Sequence, residues 1–200
     1  MSDRTVTIVP TGTANLASVM AGFRRVGAVP MIAASPEEVL RAPRVVVPGV
    51  GSFGAAIAEV RRRGIDVALQ ERLARGAPTL LICLGLQLLA DGSEESPGVA
   101  GLGVIAATVK RLPPGVLLPQ LGWNQVTTTP GSRCVTPGYA YFANSYCLYD
   151  ADSSWTPAWS DHGGPFIAAL ERGPQLACQF HPELSGAWGL RLINAWCDTC

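Results

Sequence analysis

This chain is predicted to fold as an α/β protein with an open, mostly parallel, doubly wound sheet flanked by helices. Three observations carry that prediction. Strand and helix patterns alternate throughout the first half, as they do when parallel strands are joined by crossover helices. An apolar run from Pro78 to Ile82 stops at Cys83 and then meets Gly85, which is how a buried strand delivers a side chain into a tight turn before a helix. The second half is richer in strand-forming segments than the first, so additional strands are expected there.

The elements follow in order. Thr5 to Val9 is β-branched and reads as a strand. Asn15 can cap a helix through Val19, Phe23 and Val26, with Gly27 as its stop. Val29 to Ala33 is a second strand. Ser35 caps a short helix with Pro36 at its first position and Glu37 and Glu38 in its first turn. Arg44 to Val47 is a buried strand ending at Pro48-Gly49-Val50-Gly51. Helical spacing runs from Ser52 to about Arg75, broken at Gly64, and Pro78 to Ile82 is the fourth strand. Further strands are expected over Val104 to Val109, Trp123 to Thr128, Ala140 to Tyr149 and Phe166 to Leu170, with a final helix from Ser185 to Trp196.

Two hundred residues suit one domain, 1–200, with a full core. Acids and bases balance to a net charge of zero, and Arg61-Arg62-Arg63 reads as a solvated helix face, so nucleic acid is not an expected partner. No apolar stretch is long enough to cross a membrane, and Met1-Ser2-Asp3-Arg4 leads straight into a strand-like run, unlike a secretory leader. A cytoplasmic protein is expected, its six cysteines reduced. Cys197 and Cys200 form a CxxC that reads as an incidental tail feature. The other cysteines lack ligand spacing and there are only two histidines, so no metal is expected.

The chemistry-bearing residues lie at the strand ends. A cysteine on an apolar strand is usually core. Of the two histidines, His162 lies in the polar turn cluster Ser160 to Gly164, whereas His181 closes the apolar segment Leu176 to Phe180. Active sites of open α/β sheets lie at such strand ends. In His181-Pro182-Glu183 the proline holds the backbone extended, so residues two apart share a side. Glu183 can then orient His181, and a cysteine meeting them in space would complete a nucleophile, base and orienter.

The motifs together resemble the triad (class I) glutamine amidotransferases, and within them the glutaminase subunits of imidazole glycerol phosphate synthase from histidine biosynthesis. The resemblance spans essentially the whole chain. It is carried by Asn15 to Val19, Pro48 to Phe53, Ile82 to Gln87, Gly92 to Glu95 with Gly101 to Gly103, Pro119 to Asn124, Tyr141 to Tyr146, and His181-Pro182-Glu183 with Ser185-Gly186. It implies a flavodoxin-like core with extra antiparallel strands in the second half. It also implies that Cys83 attacks the side-chain amide of glutamine, that His181 moves the protons and that Glu183 holds the imidazole. Backbone N–H groups of Leu84 and of Gly49-Val50-Gly51 would hold the oxyanion, and Gln87, Glu95, Ser145 and Tyr146 the substrate. Asn15, Gln120, Trp123, Asn124 and Leu184 would face a (β/α)8 cyclase subunit in a heterodimer. That cyclase uses the ammonia to convert PRFAR into imidazole glycerol phosphate and AICAR. No cofactor is implied, in keeping with the absence of a phosphate-cradling loop. Unaided by the resemblance, Trp123 reads as core, Gln87 and Glu95 as a solvated helix end and loop, and Ser145 and Tyr146 as strand packing.

The chain departs from the common family pattern in several places. Leu81 stands where glycine usually relieves crowding at the elbow, Gln120 and Asn144 replace histidines, and Leu184 replaces a lysine. Thr13-Ala14-Asn15 replaces a more glycine-rich turn. These differences leave open a glutaminase serving another synthase, or a catalytically silent scaffold with the same fold.

Overall fold

The computed structural model describes residues 4–12 and 14–199. Thr13 of the Thr13-Ala14-Asn15 turn and Cys200 of the terminal CxxC lie outside the described residues. The first half alternates as expected: β1 (Thr5–Ile8), α1 (Leu16–Arg25), β2 (Val29–Ile32), α2 (Pro36–Arg41), β3 (Val45–Gly49), α3 (Phe53–Arg62), α4 (Ile65–Ala74) and β4 (Thr79–Cys83). The caps act as the sequence indicates. The Asn15 side chain accepts from the Ser18 N–H, Ser35 accepts from the Glu38 N–H, and Gly64 breaks α3 from α4 with φ +67°.

Beyond β4 come a four-residue helix α5 (Leu84–Gln87) and strands β5 (Ala90–Ser93), β6 (Ile105–Arg111), β7 (Gln120–Thr128), β8 (Gly138–Asn144) and β9 (Tyr146–Cys147). The chain closes with β10 (Thr156–Asp161), β11 (Pro165–Arg172), β12 (Gln175–Cys178), a 3₁₀ turn at Pro182–Leu184 and α6 (Gly186–Asp198). Nine strands form one sheet in the order β2-β1-β3-β4-β12-β11-β10-β7-β8, and β5-β6-β9 form a smaller one. Pairing is parallel from β2 through β12 and antiparallel from β12 onward. The 2-1-3-4 start is the flavodoxin-like order.

Some elements differ from expectation. Ala140 to Tyr149, read as one strand, is two: the chain leaves the large sheet after Asn144 and joins the small one at Tyr146. The strands β5 and β10 were not legible. Ala90-Asp91-Gly92-Ser93 has turn chemistry, and β10 carries Pro157, so pairing with neighbours rather than local preference makes both into strands. Ser160 and Asp161, polar and close to a glycine pair, end β10 rather than lying in the turn.

Two core layers cover the large sheet, and the strands distribute their side chains between them with period two. Val46, Leu80 and Ile82 pack with Phe23 of α1 and Trp196 of α6; Val45, Val47 and Leu81 pack with Phe53, Ile57 and Leu69 on the other face. Arg61, Arg62 and Arg63 are exposed, as expected. Another arginine holds the strands that matter for the site. Arg72, 1% exposed, donates to the carbonyls of Ala42 (2.6 Å), Pro43 (3.1 Å) and Pro78 (2.6 Å) and to Thr79 Oγ1 (3.1 Å). It thereby ties down the segments that lead into β3 and β4. Replacing Arg72 by Met would strand several buried carbonyls and should lower stability by about 3 kcal/mol, read as a fall in the urea midpoint.

Candidate active site

The site forms where β3, β4 and β12 end together. Gly49 is in register with Cys83, and Cys178 with Ile82, so the turns after these three strands meet. Cys83 has φ +55°, the sole positive φ among described non-glycine residues. Such a conformation is strained for an L-residue and persists only where its surroundings enforce it. The enforcement is steric. A Cβ on Gly85 would lie 2.0 Å from the Val47 carbonyl oxygen, and one on Gly49 would lie 2.8 Å from Leu84 Cβ. The elbow thus presses against β3, and the glycines that permit this are Gly85 and Gly49. Leu81 is accommodated: its side chain is fully buried in the helix-covered layer that holds Val47 and Leu69.

His181 follows β12 at the same end. Its N–H donates to the Tyr141 carbonyl (2.9 Å), and the Ser185 hydroxyl donates to the His181 carbonyl (2.6 Å) while accepting from the Tyr141 N–H (2.9 Å). Ser185, 1% exposed, therefore locks the turn to β8. His181 Nδ1 lies 3.0 Å from Glu183 Oε1, and both side chains are almost wholly buried. Close packing from α1 holds the acid, since a Cβ on Gly22 would lie 3.0 Å from Glu183 Cβ. Burial disfavours a charged ring on His181. Hydrogen bonds to Cys83 and Glu183, with the negative charge of both, more than offset this and raise the imidazole to about 10. The three residues that the sequence singled out thus interact in space.

A cavity of about 200 Å³ opens beside Cys83, bounded by Val50, Gly51 and Leu84 on the elbow side. Gln87, Glu95, Ser145 and Tyr146 also line it. Gln87 is buried rather than solvated, donating to the Tyr146 carbonyl (2.9 Å) and to Gln179 Oε1 (3.1 Å). Glu95 Oε2 accepts from the Phe53 N–H (2.7 Å), and Ser145 and Tyr146 sit where the chain passes between the two sheets. A space this small, with a carboxylate and several amides around it, suits a single amino acid better than a nucleotide. Sequence reading missed Gln179, which is fully buried and donates to Cys83 Sγ at 3.7 Å. The signal was its place two residues before His181, on the parity that brings residues i and i+2 to one side of an extended segment.

A second cavity of about 260 Å³ reaches His181 and Glu183 from the other side and is lined by Asn15, Tyr141 and Leu184. It opens beside the exposed face of β7 and β8, where Leu121, Trp123 and Tyr139 are 66%, 58% and 60% exposed. Trp123, a core residue by composition, is therefore at the surface, edge-on to Tyr141. Gln120 requires correction as a surface residue. Alternation along β7 turns it inward, 5% exposed and opposite the equally buried Asn144. Asn124 is half-buried and donates to the Asp161 carbonyl (2.7 Å). Among the described residues no group of three or more His, Cys, Asp or Glu could hold a metal ion, and no helix is long and apolar enough to cross a membrane.

Comparison with known proteins bears on this geometry. The family model for class-I glutamine amidotransferases matches residues 28–194. A relative from Symbiobacterium thermophilum, named imidazole glycerol phosphate synthase subunit HisH, is 40% identical over 196 residues, covering 96% of this chain and 92% of its own. A relative of the same name from Yersinia pseudotuberculosis is 42% identical over 194 residues, covering 94% of this chain and 96% of its own. A crystal structure described as a glutamine amidotransferase superposes with a TM-score of 0.78 at 19% identity, covering 97% of each chain, and supports the fold.

The elbow is open to a direct test. Gly85→Ala would drive a methyl into the Val47 carbonyl and should cost 3 kcal/mol or more (~3 kcal/mol being the upper end for overpacking). Iodoacetamide alkylation of Cys83, followed by mass spectrometry beside a thermal melt, should show the thiol's reactivity lost even where the protein stays folded.

Proposed function

This chain belongs to the class-I glutamine amidotransferases, among the HisH subunits of imidazole glycerol phosphate synthase, and we propose that it hydrolyses glutamine through Cys83, His181 and Glu183. The single observation behind this reading is the buried His181–Glu183 pair in hydrogen-bond contact with a cysteine held at φ +55° beside an amino-acid-sized cavity. The histidine-pathway role rests on the relatives. Residues 1–200 are taken as one glutaminase domain working in the cytoplasm.

The chemistry follows from the protonation state. An imidazole raised to about 10 is charged at neutral pH, so His181 holds the proton that the leaving nitrogen needs, and Cys83 reacts as a thiolate. Cys83 Sγ attacks the carboxamide carbon of glutamine, and the carbonyl π electrons move to oxygen. Backbone N–H groups of Leu84 and the Gly49-Val50-Gly51 segment are assigned to that oxyanion. His181 gives its proton to the nitrogen as the carbon–nitrogen bond breaks, and ammonia departs from a γ-glutamyl thioester. The neutral imidazole next takes a proton from water, whose oxygen attacks the thioester. That proton restores the imidazolium; collapse of the intermediate then expels the thiolate and releases glutamate, whose new carboxyl group gives its proton to solvent. Glu183 fixes which ring nitrogen faces Cys83 and stabilises the charged ring. Gln87, Glu95, Ser145 and Tyr146 hold the substrate.

For the partner we infer a (β/α)8 cyclase in a heterodimer, seated on the Leu121–Trp123–Tyr139 face. Asn15 and Leu184 lie on the cavity that opens there and reaches His181, so ammonia freed at Cys83 would emerge beneath the partner. There it would serve conversion of PRFAR to imidazole glycerol phosphate and AICAR.

Glutamate release by the chain alone, and then with the cyclase and its nucleotide, tests the reading. Cys83→Ala should abolish release in both conditions, and persistence of release would refute the assignment. Glu183→Gln should lower kcat by roughly 10³–10⁴-fold, by analogy with neutralised acids in other triads. The pH dependence has a definite sign. An imidazole raised from about 6.5 to about 10 contributes stability that is complete below the lower value and lost as pH rises through the upper one. Activity should therefore fall on an alkaline limb near pH 10, and Glu183→Gln should draw that limb toward neutrality. Trp123→Ala should weaken association with the cyclase by about 2 kcal/mol, or roughly thirtyfold, measured by titration calorimetry, while leaving the isolated chain folded.

A further inference from the structure

We propose that Gln179 is a positioning residue for the nucleophile: its side-chain amide, itself oriented by Gln87, donates a hydrogen bond to the Cys83 thiolate and ties the nucleophile to the wall of the substrate cavity. The proposal deepens the glutaminase reading above and rests on it for its catalytic consequence.

The orientation of this amide chain can be deduced without seeing hydrogens. A backbone carbonyl can only accept, so the Gln87 group 2.9 Å from the Tyr146 carbonyl must be its NH₂. The same NH₂ faces Gln179 at 3.1 Å, which requires the Gln179 oxygen on that side. The NH₂ of Gln179 then points the other way, toward Cys83 Sγ at 3.7 Å, an ordinary reach for a bond to sulfur. Each amide in the sequence Tyr146–Gln87–Gln179–Cys83 is fixed by the one before it. A thiol is a weak acceptor and a thiolate a strong one, so the last bond favours the charged sulfur.

Burial raises the stakes. Gln179 is fully buried, and Gln87 is 5% exposed. An amide in such a place is costly unless its groups are bonded, and here the bonds are supplied by the substrate wall on one side and the nucleophile on the other. His181 approaches the same sulfur, so the sulfur is held between a cation and a neutral donor. Both N–H groups of Gln87 are committed to protein partners, which leaves its oxygen as the group it offers to the cavity it lines. A substrate N–H bonded to that oxygen polarises the Gln87 amide and strengthens the bonds beyond it. Filling the cavity and readying the sulfur are thereby connected.

The test follows the rate of Cys83 alkylation by iodoacetamide as a function of pH in the full-length chain, quantified at Cys83 by mass spectrometry. Gln179→Met keeps the bulk and removes the donor. The midpoint of the profile should rise by about one pH unit, equivalent to a tenfold loss, with kcat/KM at neutral pH falling about tenfold and KM little changed. Gln179→Glu places acceptor oxygens against the thiolate and should move the midpoint further in the same direction. A purely structural role would lower the melting temperature and leave the midpoint in place, which overturns the proposal if found in either folded variant. Should both variants fail to fold, the side-chain amide signal of Gln179 in the wild-type NMR spectrum decides. It should shift with the same pH midpoint and on alkylation of Cys83, and an unmoved signal overturns the proposal. Alkylation needs no glutamine, so the contact is judged even if glutamate release survives Cys83→Ala and the glutaminase reading falls.

Discussion

Backbone crowding at the end of β4 is the constraint on which the rest of the site depends. Cys83 can hold φ +55° because the turn after it is pressed against β3 at van der Waals distance, with Gly85 under the Val47 carbonyl. That contact requires β3 and β4 to be adjacent, parallel and in register to their last residues, which the pairing of Gly49 with Cys83 provides. Register in turn rests on alternation between two apolar layers, because a slip of one residue would send Val45, Val47 and Leu81 to the wrong face. Arg72 secures the other ends of the same strands by gathering the carbonyls that precede them. The thiol's exposure to the cavity is thus the local outcome of packing spread over the whole parallel half.

The histidine arm is built by a different logic. His181 sits just beyond β12, whose parallel partner is β4, so the sheet delivers His181 and Cys83 side by side. The antiparallel half contributes restraint: β8 receives the His181 N–H through Tyr141, and Ser185 closes the turn between them. Glu183 is pressed into place by α1 at Gly22. A buried carboxylate and a buried imidazole that share one hydrogen bond form a rigid unit, and its charge compensates the cost of keeping the ring protonated. Two cavities then meet at the same loops. One opens beside Cys83, while the one at His181 and Glu183 opens beside the apolar face of β7 and β8.

Sequence reading singled out the proposed triad because each member carries a strong local signal. Cys83 ends an apolar run before glycine, and His181 and Glu183 flank a proline. It reached the first four strands and their helices because Asn15, Ser35, Gly27 and Gly64 are unambiguous stops and starts. It was least successful where strands are made by pairing. Ala90–Ser93 and Thr156–Asp161 have the composition of turns, and Ser145 breaks what looked like one continuous strand. Side-chain facing was also hidden. Gln120 and Trp123 both read as features of one motif, yet the pleat sends the first inside and the second to the surface.

The sequence by itself determined the alternation of strands and helices, the choice of Cys83, His181 and Glu183 as the proposed nucleophile, base and acid, and the family to which these motifs point. Those properties depend on residue type and on neighbours within a few positions, where local stereochemistry acts. Only the tertiary structure decided that Leu81 could stand at the elbow, because room there comes from Gly85 and Gly49 against β3. It alone showed Gln179 between the cavity wall and Cys83, since Gln87, Gln179 and Tyr146 meet only after α5, β9 and the end of β12 converge. Hydrogen-bond partners so far apart in the chain are chosen by the packing of the whole sheet, and no local pattern records them.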